Sequence, residues 1–274
     1  MKKLLALILA MLMVVAFAAC SNEDDTKEDL KDYLQNEEVV DKITNNDGET
    51  FYFDIIDSES VTITGYNSGD KAHPLNIPAT LDGKEVVGIS DQAFYYCSKI
   101  NAINIPATVT SIGAYAFAGC EMVTEINIPA TVTSIGEGAF YNCSAATSLS
   151  VGAGIDAIEK YTFMGCTSLT TVTVPANIKT VAQGAFYGCT ALTSVTIAEG
   201  VEIVGAQAFQ DCTALETLTL PASVVSIGDH AFDGSDNLYL DGVTVPTDTA
   251  SAAYKHIHEV MKLENKPVDQ APAA

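Results

Sequence analysis

The sequence of 274 residues contains no Trp and no Arg, so all 13 of its basic residues are Lys. Asp and Glu together number 35, which gives a formal net charge of −22. The Arg guanidinium binds phosphate in a bidentate geometry that the Lys ammonium does not reproduce. A strongly negative surface also repels nucleic acid and anionic headgroups. Nucleic acid is therefore excluded as a partner.

The sequence also lacks the motifs of common catalytic and metal sites. It has no Gly-rich phosphate loop, no nucleophile elbow and no HExxH helix. The Asp and Glu residues are scattered and form no in-register pair of the kind that hydrolyses glycosides. His and Cys do not occur at short pairing distances that would suit a metal, and we expect surface or capping roles for the four histidines. We therefore expect a protein that is not an enzyme and holds no cofactor. The histidines are His73, His230, His256 and His258.

Phe and Cys recur at a fixed spacing of 23 residues, which is the dominant feature of the chain. The Phe positions are Phe94, Phe117, Phe140, Phe163, Phe186, Phe209 and Phe232. The Cys positions are Cys97, Cys120, Cys143, Cys166, Cys189 and Cys212. An insertion or deletion would break this phase, so the sequence predicts an uninterrupted stack of one supersecondary unit.

Each unit, such as "LTTVTVPANIKTVAQGAFYGCTA" (169–191), reads as two extended pieces and a turn. Alternating apolar and polar residues predict a half-buried strand, which the following Pro ends because it has no N–H to donate. A second pair of apolar residues is β-branched throughout, which favours extended structure. The residue before each Cys is mostly Gly, Asn or Asp, which indicates a left-handed turn, although Tyr96 departs from this rule.

The pattern "L..V.VP..I..V...AF.GC" resembles the BspA-like leucine-rich repeat of bacterial surface proteins, over about residues 66 to 247. The resemblance implies a right-handed solenoid, mainly β, of about seven rungs with a parallel sheet on its concave face. It also implies adhesion to host matrix proteins or to other cells, with an extracellular protein or glycan as partner. We expect a monomer. Two alternatives stay open: a lipoprotein that captures glycans or peptides for uptake, and a structural spacer in the envelope.

The first 19 residues combine Lys2 and Lys3, an apolar core and small residues at the end, as in a secretory signal. Phe17-Ala18-Ala19-Cys20 resembles the bacterial lipobox, with Phe17 where Leu is usual. This resemblance implies that Cys20 becomes the lipid-modified N-terminus, anchored at the bacterial cell surface or envelope. The alternative is an ordinary secreted protein cleaved near Ala19. The mature chain would carry 11 Lys against 35 acidic residues, a net charge of −24.

The remaining segments follow from composition and from the needs of a stacked array. We assign 20–48 to an acidic tether, because it is charged and poor in apolar residues. Residues 49–264 form the repeat domain. Within it we expect an N-terminal β cap and first repeat at 49–92, repeats at 93–242 and a helical cap at 243–264, because open ends expose apolar rungs. Residues 265–274, with two prolines, read as a flexible tail.

Three sets of side chains are candidates for function. The six repeat cysteines are expected to be free and buried, because stacked equivalent side chains point the same way and do not meet in disulfide geometry. Polar side chains that alternate with the buried strand residues form a candidate ligand-binding face, although β propensity and solubility explain the same pattern. These are Thr124, Asn127, Thr147, Ser150, Thr170, Thr173, Thr193, Thr196 and Thr219.

The third set consists of tyrosines beside the repeat phenylalanines. Tyr residues follow Phe on alternate rungs and precede it by two residues on the rungs between. We expect them to interleave into an aromatic strip along one edge, which serves either packing or the binding of a partner. The residues are Tyr95, Tyr115, Tyr141, Tyr161 and Tyr187.

Overall fold

The computed structural model describes residues 41–45, 47–67, 72–248 and 250–261. The predicted leader, most of the tether and the tail lie outside these ranges, as does Cys20. The described chain forms a parallel β-solenoid of about eight turns with little helix, which confirms the predicted fold class. We call each turn that carries a repeat Phe a rung and number the rungs 1 to 7, from Phe94 to Phe232.

Two strands per turn build the solenoid, and each corresponds to one of the apolar patterns in the repeat. The alternating segment before the Pro gives the first strand, and the β-branched pair gives a second strand of two residues in most rungs. The first strands are β4 His73–Asn76, β7 Ile100–Asn104, β9 Glu125–Ile128, β11 Ser148–Val151, β13 Thr171–Val174, β15 Ser194–Ile197, β17 Thr217–Thr219 and β19 Val243–Thr244. The second strands are β6 Lys84–Ile89, β8 Ser111–Ile112, β10 Ser134–Ile135, β12 Ala157–Ile158, β14 Thr180–Val181, β16 Ile203–Val204 and β18 Ser226–Ile227.

Equivalent residues of neighbouring rungs lie on one another. In the first strands, Val172 pairs with Val195, and Val195 pairs with Leu218. All three side chains are buried, so each added rung extends one continuous apolar column. This stacking supplies the core that a single unit of 23 residues lacks.

The seven repeat phenylalanines form a single buried stack along the solenoid. Neighbouring ring centroids lie 5.0 to 5.8 Å apart, and the interplanar angles are between 1° and 20°. The stack continues beyond the repeats at both ends. Tyr66 lies 5.3 Å from Phe94 and 5.0 Å from Phe51, and His256 lies 5.9 Å from Phe232. Both caps therefore extend the same column of rings.

The turn around each Phe is also hydrogen-bonded from rung to rung, although it is not a strand. The N–H groups of Tyr115, Phe117 and Gly119 donate to carbonyls of the next rung at 2.8 Å, and the pattern repeats up to rung 6. The residue before each Cys has positive φ, as expected, and Tyr96 follows the rule with φ 53°. A second position of positive φ, two residues before each Phe, was not expected. It holds Gln92, Tyr115, Gly138, Tyr161, Gly184, Gln207 and His230.

Strand pairing is interrupted at three consecutive rung boundaries within residues 72–248. The first strands pair as β4-β7, β9-β11 and β13-β15-β17-β19, and the second strands break between β10 and β12. The first and second strands lose their pairing at different boundaries, so neighbouring rungs are always joined by at least one pair of strands. The widest Phe spacing, 5.8 Å between Phe140 and Phe163, falls at the break in the second strands. Beside it, buried Thr162 stands in a column that is Ala in the other rungs, and its hydroxyl donates to the Glu159 carbonyl at 2.8 Å.

The N-terminal cap is a three-stranded meander that pairs with the first rung. It consists of β1 Asp41–Thr44, β2 Thr50–Ile55 and β3 Ser60–Asn67, and β3 runs parallel to β6. Because β1 lies within 20–48, the end of the predicted tether is placed too late and the cap begins at least by residue 41. The extra residues at Asp82-Gly83 form a tight turn between β5 Thr80–Leu81 and β6, with φ of 50° and 72°.

The C-terminal cap begins with β19, whose pairing with β17 is offset by two residues from the repeat spacing. A short 3₁₀ segment, Leu240–Gly242, precedes it. A helix, α1 Ala252–Lys255, starts with the Ser251 hydroxyl accepting from the Tyr254 N–H, and a π-helical turn His256–Met261 follows. Ala253 and Ile257 are fully buried. His256 is also buried against the last Phe, so of the two expected roles it has the capping one rather than a surface position.

Candidate functional site

The exposed surface of the first strands, here called the strand face, carries regular rows of polar side chains. Asn127 pairs with Ser150, and Thr173 pairs with Thr196, which pairs with Thr219. Alternation along each strand places these side chains on the side opposite the core. Eight of the nine residues expected to bind a ligand are exposed, and Thr219 is half-buried beneath β19. The structure thus brings the predicted residues onto one surface.

Several polar groups on the strand face already have hydrogen-bond partners. The hydroxyls of Thr147 and Thr193 donate to carbonyls of the preceding rung at 3.2 and 3.0 Å. Thr217 donates to the Ser194 hydroxyl at 2.8 Å, and Asn104 donates to Asn76 at 2.7 Å. These bonds hold the side chains in fixed positions, so the surface is ordered before any partner arrives.

The charge on the strand face is low and of one sign. In the stretches 124–127, 147–150, 170–173, 193–196 and 216–219, the charged residues are Glu125 and Glu216, and there is no Lys or aromatic residue. The surface therefore offers closely spaced hydroxyls and amides rather than ion pairs or stacking rings. Such groups match a partner that presents hydrogen-bonding groups of its own.

The five candidate tyrosines lie on the edge formed by the Phe turns, here called the tyrosine edge. Tyr115 and Tyr141 are 6.3 Å apart between ring centroids, and electrostatic interactions link Tyr95 to Tyr141 and Tyr115 to Tyr161. All five side chains are half-buried. Tyr96, which the sequence pattern did not include, joins them: its ring is 4.6 Å from that of Tyr95 and it is 38% exposed.

Glycines on the neighbouring rung make room for these rings. A side chain at Gly138 would overlap the Tyr115 ring, and a Cβ at Gly184 would lie 2.6 Å from the Tyr161 ring. Both glycines have positive φ, which Gly adopts without strain but which other residues also adopt in this column, so the space taken by the Tyr ring is what requires Gly here. The alternation of Tyr and Gly in this column produces the interleaving.

Carboxylates interact with two of the tyrosine phenols, and one of them accepts a hydrogen bond. The Tyr115 hydroxyl donates to Glu137 Oε1 at 2.9 Å. Desolvation, with added effect from Glu137, raises the pKa of Tyr115 to about 12. Interaction with the Asp211 carboxylate is the main cause that raises the pKa of Tyr187. Both phenols therefore stay neutral donors at physiological pH.

The repeat cysteines form a buried ladder. Five of them are free, and each thiol donates to the carbonyl of the Phe 26 residues earlier at 3.3 to 3.5 Å. Burial raises the pKa of these thiols, to about 12 for Cys166. The expectation of free thiols is thus confirmed for these five and wrong for Cys97, which is disulfide-bonded. Ser235 takes the Cys position in rung 7, and its buried hydroxyl has no hydrogen-bond partner among the described residues.

A polar cluster in the N-terminal cap was not expected from the sequence. The Tyr66 hydroxyl donates to Glu49 Oε1 at 2.6 Å and lies 2.8 Å from His73 Nε2. His73 Nε2 is 3.1 Å from the same carboxylate oxygen. Burial, followed by the bond to Glu49, raises the pKa of Tyr66. The cluster joins β2, β3 and β4, and therefore ties the cap to the first rung.

Across the described residues, no group of three or more His, Cys, Asp or Glu side chains is arranged to hold a metal ion. None of the helices in that same part of the chain is both long and apolar enough to span a bilayer.

Comparison with known proteins identifies the family. The BspA type leucine rich repeat region matches residues 87–216 and 179–265, with six copies. No curated protein sequence matches the chain. Because the matched region covers more than half of the chain, the protein belongs to the BspA type leucine-rich repeat family, whose members are typically bacterial surface proteins.

Solved structures show the same fold in bacterial relatives. A leucine rich cell surface protein from Faecalibacterium prausnitzii is 30% identical over 73% of this chain, with a TM-score of 0.61. A leucine-rich repeat protein from Eubacterium ventriosum is 27% identical over 76%, with a TM-score of 0.64. The chain spans 54% and 52% of these two relatives. The leucine rich repeat protein of T. pallidum is 26% identical, and the match covers 74% of this chain and 89% of that one, with a TM-score of 0.61.

Proposed function

We propose that this protein is an exported, lipid-anchored binding protein that engages an extracellular protein or glycan through its strand face. The observation that supports this most directly is the set of exposed hydroxyls and amides that lie in register from β9 to β11 and again from β13 to β17. Hydrogen bonds hold several of them in place, as between Thr217 and Ser194. An adhesin or a capture protein uses such a surface in the same way, and the two differ in whether the partner is fixed or soluble.

The binding proposal is tested with the full-length protein in mild detergent against an array of host matrix proteins and glycans. Thr173→Lys combined with Thr196→Lys places two charged chains at the centre of the strand face and should weaken binding at least tenfold. The matched control is Thr110→Lys with Thr133→Lys, because both threonines are exposed on another side of the solenoid. Their column carries Lys179 in rung 5, so it tolerates Lys. Equal loss in both variants, or no partner on the array, would exclude the strand face as the binding surface and favour a spacer.

The lipid anchor is proposed from Cys20 and the leader that precedes it. Acyl chains hold a protein to a membrane through burial of methylenes, at about 0.8 kcal/mol each, and two or more chains anchor it stably. Mass spectrometry of protein extracted from membranes should find a diacylglyceryl group on Cys20, and Cys20→Ser should release the protein into the medium. One sulfur does not carry both a thioether and a disulfide. A disulfide-linked Cys20 in the isolated protein would therefore contradict the anchor.

A further inference from the structure

The tyrosine edge is a second surface, distinct from the strand face. Tyr95, Tyr141 and Tyr187 directly follow the Phe of rungs 1, 3 and 5, so they recur every two rungs. Neighbouring Phe rings of these turns lie 5.0 to 5.8 Å apart, so successive members of this column are about 10 to 11 Å apart. Tyr115 and Tyr161 occupy the rungs between, in the neighbouring column. The result is a zigzag of half-exposed rings along five rungs.

Two of the five rings, those of Tyr115 and Tyr161, are packed in place before any ligand binds. Tyr115 covers Gly138 and Tyr161 covers Gly184, so one side of each ring packs against backbone that has no side chain. The Tyr115 hydroxyl is held by Glu137 at 2.9 Å. A ligand that stacks on these rings therefore orders few side chains, which keeps the entropic cost of binding low.

The electrostatics of the edge favour a cation. In rungs 1 to 5, the segments from three residues before each Phe to three after it contain two carboxylates, Asp91 and Glu137, and one Lys, Lys160. Asp211 of rung 6 adds a further carboxylate that interacts with Tyr187. Ammonium and guanidinium groups are attracted to the faces of aromatic rings. A phenol that donates a hydrogen bond to a carboxylate has a more electron-rich ring, so Glu137 strengthens this attraction at Tyr115. The chain's net charge of −22 acts in the same direction over a longer range.

We propose that the tyrosine edge binds an extended basic peptide segment in the polyproline II conformation, with Lys or Arg at every third position. A polyproline II chain has three residues per turn and rises about 3.1 Å per residue, so side chains on one side repeat about every 9 Å. That distance is within about 2 Å of the two-rung period of the Tyr column, which side-chain flexibility of Lys and Arg accommodates. Polyproline II segments dock on aromatic surfaces, because their preformed backbone loses little entropy. The proposal goes beyond the strand-face function and uses a different surface.

The test uses two synthetic peptides with the same composition and the full-length protein in mild detergent. One peptide repeats Lys-Pro-Pro five times, and its isomer has all five Lys at one end. Titration calorimetry should show at least fivefold tighter binding of the repeating peptide, with affinity that falls as salt is raised. Equal affinity for the two peptides, or no binding of either, would overturn the proposal.

Variants locate the binding and separate it from the strand face. Tyr141→Gln with Tyr187→Gln should weaken binding of the repeating peptide at least tenfold, while preserving the fold, because Gln210 occupies the same column in rung 6. Glu137→Gln keeps an acceptor for Tyr115, removes one charge and should weaken binding about threefold. Thr173→Lys with Thr196→Lys should leave peptide binding within twofold. Peptide binding lost in the strand-face variant, or retained in the Tyr variant, would refute the tyrosine edge as the site. Binding of a neutral β-1,4-linked oligosaccharide in place of the peptide would also refute the proposal and would show that the tyrosine edge is a glycan site.

Discussion

Substitution of Gly138 by Ala tests whether the Tyr115 ring packs against Gly138 of the next rung, as described above. Gly138 has φ 62°, and an added Cβ would overlap the Tyr115 ring. A left-handed backbone costs a residue with a Cβ about 1–2 kcal/mol. The same change reduces the freedom of the unfolded chain and thereby returns about 0.4–1 kcal/mol. The backbone alone therefore predicts a loss of roughly 0.5–1 kcal/mol.

The contact with Tyr115 adds to that loss. Either the ring swings outward and breaks its bond to Glu137, or the turn shifts. Overpacking of this kind typically costs about 1–3 kcal/mol. Gly188→Ala is the matched control, because Gly188 has φ 70° and no atom lies within 4 Å of where its Cβ would be. We expect Gly138→Ala to lower the free energy of unfolding by roughly 1–3 kcal/mol more than Gly188→Ala does.

The assay is urea denaturation followed by circular dichroism, completed as a double-mutant cycle with Tyr115→Gln. Gln92 and Gln207 adopt the backbone conformation of Tyr115 in their own rungs, so Gln fits this position. With the ring removed, Gly138→Ala should cost no more than Gly188→Ala, and the coupling between the two sites should equal the steric cost. Equal losses for Gly138→Ala and Gly188→Ala in the unaltered background, or an excess that persists in the Tyr115→Gln background, would refute the reasoning.

Further predictions concern the buried columns and one phenol. Phe163→Ala should lower the free energy of unfolding by about 3–5 kcal/mol in urea denaturation, because it opens a cavity in the middle of the ring stack; a loss below about 1 kcal/mol would contradict that stack. Ser235→Cys should raise the free energy of unfolding by about 1 kcal/mol, since all five free thiols of this column donate to a Phe carbonyl; an unchanged free energy would mean that the Ser hydroxyl has a hydrogen-bond partner in solution. The five free thiols should not react with a thiol reagent until denaturant is added, because burial removes both access and the thiolate; rapid native labelling would argue against the ladder. Glu137→Gln should lower the pKa of Tyr115 from about 12 towards its ordinary value of 10.0, seen as the difference between ultraviolet titrations of the two proteins. Identical titrations would contradict the Tyr115–Glu137 bond. The raised pKa of Tyr115 stabilises the folded protein below pH 10, and this stabilisation is lost as the pH rises through about 12.

The repeat architecture could be predicted because its evidence is spread over many copies. The seven Phe positions and six Cys positions fix the register without reference to any contact, and β-branched pairs such as Val132 and Ile135 mark the second strands. The structure places each of these residues in the core. The fold was predictable because local preference and repeat spacing agree at every rung.

The unexpected features depend on context rather than on residue type. Tyr115 and Tyr161 adopt a left-handed backbone, which Tyr rarely does, because hydrogen bonds to the next rung impose it. The Gly residues in the same column, Gly138 and Gly184, were the signal that could have revealed this. The Tyr66–Glu49–His73 cluster joins parts of the cap that share no periodic pattern, so only the folded arrangement brings them together.

The staggered breaks in strand pairing have a mechanical consequence. Where β7 and β9 separate, β8 and β10 stay paired, and the reverse holds at the next boundary. The solenoid can thus bend at three successive rung boundaries, on the side of the first strands or of the second strands in turn. The Phe stack and the hydrogen bonds of the turns continue across all three boundaries. A solenoid built this way bends under load without offering a single plane along which it would split.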